Sequence, residues 1–206
     1  MPAPPTRPKL RARYDARRAG VVEAAARAFA ANGYHATSIE QLIAATGLTR
    51  GGLYHYVDSK QDLLFAVLDE LMEPLLEQAR AIVAEQATPE RHLRALTRAW
   101  LVHVADHLDH MVVFTRERAT LERDPRWAQV RRARDAFERL LAGVLEAGRA
   151  DGSFAIEDPQ LVLLALLGMV NHTPQWLKPR GRLSPEQVAD GFCDVLLDGI
   201  RARRGR

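Results

Sequence analysis

At 206 residues the chain can form one substantial hydrophobic core or two smaller ones, and 47% hydrophobic with 27% charged residues is ordinary for a water-soluble protein. The longest apolar run, Leu161 to Val170, is half of the ~20 residues needed to span a bilayer, and the N-terminal MPAPPTRPKLRARY lacks the apolar core of a secretory signal. The net charge of +3 is uneven, +5 over residues 1–60 and −2 over residues 61–206, and the single Cys193 excludes an intramolecular disulfide, as suits a reducing cytoplasm.

Residues 1–13 hold four Pro and four basic residues without an apolar period and read as a flexible basic arm, either a solvated tail or a set of cations for a minor groove. A first helix is expected over 14–31, with Val22, Ala25, Ala26 and Phe29 inward and Gly33 ending it. Thr37 followed by Glu40 makes a capping box for a second helix, whose apolar face is Ile39, Leu42 and Ile43. Gly47 suits its left-handed end, and Thr49 caps a third helix carrying Arg50, Gly51, Gly52, Leu53, Tyr54, His55 and Tyr56. Ser59 with Asp62 starts a fourth. Helix, Gly-containing turn and second helix form the helix-turn-helix pattern, whose second member enters a DNA major groove.

Chemistry can be assigned position by position. Arg50 is the candidate base reader, since Arg can donate two hydrogen bonds to guanine O6 and N7. Gly51 and Gly52 cost helix propensity, about 1 kcal/mol each, and have no side chain to hold the helix off the duplex. Tyr54 can touch a base or a thymine methyl, or else serve as a core aromatic. His55 suits a phosphate or a plain surface. Thr37, Ser38 and Thr49 at helix N-termini, and Lys60, suit backbone phosphates.

The stretch from about Arg17 to Leu64 resembles the DNA-binding domain of the TetR (tetracycline-repressor) family. The resemblance is carried by Phe29 through Gly33, Tyr34, Thr37-Ser38-Ile39, Gly47-Leu48-Thr49, Leu53-Tyr54-His55 and Ser59-Lys60. Val57 stands where the family usually has Phe, which removes an aromatic anchor between helices 3 and 4, and Gln61-Asp62 replaces the usual acidic pair. The resemblance implies a DNA-binding domain at 14–60 and a larger ligand-binding and dimerisation domain at 61–206.

The remaining helix starts are legible as capping residue plus proline: Thr88-Pro89, Asp124-Pro125, Asp158-Pro159 and Ser184-Pro185. They predict helices at 59–86 (Pro74 a possible kink), 89–109, 111–122, 125–149, 159–176 and 185–203, so the chain is expected to be all-α with nine helices. Leu161 to Val170 is apolar on every side and must be covered all round. Val188, Phe192, Val195, Leu196 and Ile200 line one face of the last helix, either one monomer's core or, as the family implies, half of a four-helix homodimer interface.

Two clusters in the body remain. His103, His107 and His110 fall at spacings of four and three, a helical stripe that could share a metal. Asp106 points away from it, so a polar cavity edge or plain surface is preferred, with no metal and no cofactor. The segment 168–187 places Asn171, Gln175, Trp176, Lys178 and Arg180 at the end of the apolar helix. It is similar to an acyl-CoA-responsive branch of the family, in which an apolar cavity, here Phe114, Phe137 and Leu141 with His103 and His107 at its edge, takes the acyl chain. Trp can stack on adenine and Lys or Arg can pair with phosphates; the bland reading is a solvated loop and an interface Trp.

No phosphate loop, nucleophile elbow or Cys/His pairing supports catalysis. The expectation is a cytoplasmic, homodimeric repressor with no membrane partner, released from a palindromic double-stranded DNA operator by a small effector, a long-chain or sterol-type acyl-CoA. The alternatives are a sensor of lipophilic drugs controlling an efflux pump and, from another class, a small metal-dependent enzyme on the histidine stripe.

Overall fold

Prolines at first helical positions start four of the helices, because a missing N–H costs nothing there and φ is already helical. The computed structural model describes residues 5–122, 124–178 and 181–200, the side chains at 119, 120, 199 and 200 excepted. Among the described residues there are nine α-helices: α1 (Pro8–Asn32), α2 (Ile39–Thr46), α3 (Arg50–Tyr54), α4 (Lys60–Ala84), α5 (Pro89–Asp106), α6 (Leu108–Leu121), α7 (Trp127–Ala150), α8 (Pro159–Asn171) and α9 (Pro185–Ile200). A 3-10 turn, Thr173–Gln175, follows α8. The all-α expectation with nine helices holds.

Several boundaries differ from those read in sequence. The segment read as an irregular arm is helical from Pro8 onward, with Arg7 extended before it. That turn needs no apolar face, since Arg11 pairs with Asp15 one turn on at 2.9 Å. The cap of α2 is Ser38, not Thr37: Ser38 accepts from the Gln41 N–H and Gln41 returns a bond to the Ser38 N–H. Both registers satisfy the capping-box pattern, and burial decides between them. Thr37 is 1% exposed, with its hydroxyl donating to the Gly33 carbonyl at 2.7 Å.

The chain breaks between α5 and α6 at His107 (φ −125, ψ 39), three residues earlier than expected. α7 begins at Trp127, because Asp124 Oδ1 takes the Arg126 N–H and the Asp124 carbonyl takes that of Trp127, making a turn before the helix. α4 runs through Pro74 without ending there. Thr49, Thr88, Asp158, Ser59 and Ser184 cap as expected, Ser184 in a box with Gln187. Gly33 and Gly47 end α1 and α2 at φ +84 and +65.

Two compact units divide the described residues. The first takes the chain through Leu71 together with Asp109–Val130, and the second takes Met72–Leu108 and the chain from Arg131 onward. In the first, Val22, Ala25, Ala26 and Phe29 of α1 are buried with Leu42, Leu53, Leu63, Leu64 and Val67. Val57 is buried as well, so the smaller side chain still fills its place in the core. α6 packs on the α1–α2 corner: Arg116 Nη1 donates to the Ala30 carbonyl at 2.6 Å, and Glu117 accepts from the Tyr34 N–H at 3.2 Å.

In the second unit the core is Leu93, Leu96, Trp100, Leu101 and Val104 of α5, Phe137, Leu141 and Leu145 of α7, and Val188, Ala189, Cys193 and Leu197 of α9. Two ion pairs, Arg94–Asp194 at 2.8 Å and Arg98–Asp190 at 2.6 Å, tie α5 to α9 along one edge. At the α7 end, a Cβ built on Gly148 would lie 2.1 Å from the Phe154 ring, so only glycine allows the turn to fold back there. α8 is covered on one side alone. Leu163, Leu166 and Val170 are buried, whereas Leu161 is 63% and Leu164 54% exposed, and Val195 on α9 is 70% exposed.

Candidate DNA-binding surface and effector site

α2 and α3 meet at the Gly47 turn, and Leu42 and Leu53, both buried, fix α3 against the rest of its unit. α3 is one residue longer than a single turn and ends at Tyr54, with His55 as its C-cap. Its first residue, Arg50, is exposed and forms an ion pair with Glu40 in the first turn of α2, the guanidinium Nη2 donating to carboxylate Oε1. The Glu40 carboxyl is held below its ordinary range, first by its own backbone N–H and then by Arg50.

The two glycines have different surroundings. A Cβ on Gly51 would meet nothing within 4 Å and the residue is exposed, so close approach by a duplex is open there. A Cβ on Gly52 would lie 3.2 Å from Thr49 Oγ1 and 3.5 Å from Leu48 Cβ. Gly52 therefore faces the turn, where its N–H donates to Thr49 Oγ1 at 3.1 Å, and not outward as expected. Thr37 is likewise withdrawn from the surface, while Ser38 and Thr49 remain exposed beside two helix N-termini.

Of the aromatics near α3, Leu53 takes the inward place and Tyr54 is half-buried. His55 is exposed, edge-on to Tyr14 at 5.6 Å, and Tyr14 also packs 5.1 Å from Tyr56. Lys60 is anchored: its Nζ donates to the His35 carbonyl at 3.3 Å and sits 4.5 Å over the Tyr34 ring. Burial lowers the Lys60 pKa, opposed by the nearby Glu117 carboxylate, and burial followed by that same carboxylate raises the Tyr34 phenol. The sequence alone gives Glu40, Tyr34 and Glu117 no functional role. For Glu40 the capping pattern accounts for an acidic residue in a basic quarter of the chain.

In the second unit, His103 is buried and His107 half-buried, rings 4.2 Å apart, with His107 Nδ1 2.9 Å from the His103 carbonyl. The break at His107 puts His110 on α6, in the first unit, where its Nε2 lies 3.8 Å from Glu23. The three histidines thus do not share one stripe, and among the described residues no three His, Cys, Asp or Glu side chains are grouped to hold a metal ion. Phe137 is buried edge-on to Trp100 at 5.1 Å with Leu141 in the same core, whereas Phe114 belongs to the first unit and packs on Trp127 at 5.7 Å. Phe114 thus falls in one unit, and Phe137 and Leu141 in the other.

At the end of α8 Asn171 is exposed, and beyond it Gln175 is exposed, Trp176 is 46% exposed and stands 6.3 Å from Phe192, and Arg180 lies outside the described residues. Here the chain forms a cleft of about 240 Å³ lined by Trp176, Leu177, Lys178, Gly181, Arg182 and Leu183. One aromatic ring, two aliphatic side chains and two cations face a common space.

Two family models match this chain. Residues 16–67 match the family model for bacterial regulatory proteins of the tetR family, and residues 86–200 match the tetracyclin repressor-like C-terminal domain. The repressor KstR2 of Rhodococcus jostii is 30% identical, over 89% of this chain and 91% of that protein. The ketosteroid regulator KstR2 of Mycobacterium tuberculosis has a similar structure, TM-score 0.85 at 26% identity, covering 91% of this chain and 96% of that one. AibR in complex with isovaleryl coenzyme A and operator DNA gives TM-score 0.77 at 31% identity, over 88% of this chain and 98% of that one. The chain belongs to the TetR family of bacterial regulatory proteins and is a helix-turn-helix DNA-binding transcriptional repressor, not an enzyme.

Proposed function

We propose that this repressor acts in the cytoplasm as a homodimer on a palindromic operator and is released from it by an acyl-CoA. The observation that carries the effector is the cleft at 176–183. Trp176 offers a face for an adenine ring, and Lys178 and Arg182 offer charge for phosphates. The relative solved with isovaleryl coenzyme A and operator DNA supports the same class of ligand. A thioester whose acyl part enters the apolar core around Trp100, Phe137 and Leu141 would use both the cations and the hydrophobic interior.

The half-covered α8 supports the dimer. A helix apolar on every side needs cover on every side, and Leu161, Leu164 and Val195 are exposed in one chain. Two heads then read two half-sites about one helical turn apart, Arg50 reading a base and Ser38, Thr49, His55 and Lys60 meeting phosphates. α4 belongs partly to each unit, and its displacement by ligand is the coupling, worth ~1–3 kcal/mol for factors of 5–150 in affinity.

Tryptophan fluorescence titrated with long-chain acyl-CoA, free CoA and the free fatty acid tests the effector site. Saturable quenching by the thioester, weakened about tenfold or more in Lys178→Ala/Arg182→Ala, is expected from the loss of two charge-assisted contacts. Equal response to the fatty acid alone, unchanged in the variant, would reject the CoA reading in favour of a sensor of apolar drugs or metabolites.

A further inference from the structure

Glu40 is an anomaly on its surface. Between Gly33 and Lys60 only Glu40 and Asp58 are acidic, and an exposed carboxylate near a duplex repels phosphate. Yet Glu40 is bonded to Arg50, the side chain placed best to reach a base. It is not needed to cap α2, since Ser38 and Gln41 do that between them. Nor does an exposed pair of this kind, with side chains 63% and 68% accessible, add much to folding stability. Its consequence is geometric. It joins the first turn of α2 to the first residue of α3 across ten positions of sequence.

We propose that Glu40 is a specificity-determining positioning residue, which holds the Arg50 guanidinium in the orientation that reads guanine. The proposal rests on the base-reading role of Arg50. A guanidinium has five N–H donors in a rigid plane, and the structure commits one of them, on Nη2, to Glu40 Oε1. Four remain, enough for the two-bond contact with O6 and N7. An Arg left free has many rotamers to lose on binding and can turn instead to a phosphate, which every sequence offers. Fixing it in advance removes that entropic cost and disfavours the sequence-blind contact. The carboxylate should therefore lower affinity for all DNA while raising the ratio between preferred and other sequences.

The test uses the full chain. Preferred duplexes are selected from a randomised pool with wild-type protein, and the best is compared with a scrambled duplex for wild type, Glu40→Ala, Glu40→Gln, Arg50→Ala and the Glu40→Ala/Arg50→Ala double variant. Thermal unfolding confirms that each variant is folded. Arg50→Ala should lower the preferred-to-scrambled ratio by roughly 5- to 150-fold, the range for one bidentate base contact. Glu40→Ala should bind scrambled DNA more tightly than wild type yet lose about three- to tenfold in the ratio, a part of that same contact. Glu40→Gln, which keeps an oxygen to accept from Nη2, should retain more of the ratio than Ala. In the Arg50→Ala background, removing Glu40 should leave the ratio unchanged.

Equal gains by Glu40→Ala on both duplexes would make Glu40 a simple repulsive charge and overturn the proposal. A loss of ratio that persists without Arg50 would mean that Glu40 reads a base itself, and would also overturn it. If Arg50→Ala keeps the wild-type ratio, the base-reading assignment fails first and the positioning role with it.

Discussion

The Tyr34 N–H, at the corner between α1 and α2, donates to Glu117 Oε1 on α6, 83 residues away in sequence. Glu117 is nearly buried, and its second oxygen lies 3.8 Å from His35 Nε2. Lys60 closes the group by bonding the His35 carbonyl and covering the Tyr34 ring. One buried carboxylate thus holds the approach to the helix-turn-helix from below. Glu117→Ala should cost about 1–3 kcal/mol by leaving the Tyr34 N–H unpaired. Hydrogen exchange at the Tyr34 amide should speed up in that variant, with weaker DNA binding; unchanged protection would show the bond to be unimportant.

The register of α2 makes a second prediction. Ser38→Ala removes the observed cap and should cost about 1 kcal/mol, visible in urea unfolding. Thr37→Val, nearly isosteric, instead removes the hydroxyl that donates to Gly33 and should cost a similar ~1 kcal/mol by losing one buried hydrogen bond. The two differ on DNA. Ser38→Ala should also weaken DNA binding if its hydroxyl meets phosphate, with the salt slope unchanged because no cation is lost, whereas Thr37→Val, altering a buried side chain, should leave DNA affinity alone.

Gly148→Ala is expected to be among the most damaging small substitutions in the second unit. Its added methyl would fall on the Phe154 ring, and relieving the clash must shift that ring or the turn. Overpacking of this kind costs about 1–3 kcal/mol. A thermal melt is sufficient to measure it, and Gly143→Ala on the same helix, where a Cβ meets nothing, serves as a control that should be neutral or slightly stabilising.

Charges on the uncovered face of α8 and α9 should separate the dimer. Leu164→Glu with Val195→Glu leaves a single chain's core intact, because both residues are more than half exposed. Sedimentation should show monomers with unchanged helicity, and operator affinity should fall to that of a single half-site. A variant that stays dimeric would place the interface elsewhere.

Much of this architecture is legible in the sequence because it is locally encoded. Capping residues, prolines and the left-handed glycines at 33 and 47 act within a turn of their own position. Four features are not local. The choice of Ser38 over Thr37 depends on burial, since both fit the same capping pattern. The break at His107 has no proline or glycine to announce it, and it puts His110 on a different helix from His103. The packing of α6 on the α1–α2 corner and the Glu40–Arg50 pair are contacts between distant segments, which periodicity cannot reveal. Of the residues expected to face DNA, Ser38, Thr49 and Arg50 are exposed at helix N-termini. Thr37 and Gly52 differ because tertiary packing turns them inward.

The most direct test of the account is fluorescence anisotropy of the full chain on its selected palindrome, titrated with long-chain acyl-CoA, with free CoA and free fatty acid run beside it. Tight binding of two chains per duplex and release by the thioester alone are expected, with affinity for DNA lowered by a factor of 5–150, ~1–3 kcal/mol of coupling. Tight binding that no acyl-CoA releases would contradict the effector reading, and release by the fatty acid alone would remove the role given to Lys178 and Arg182.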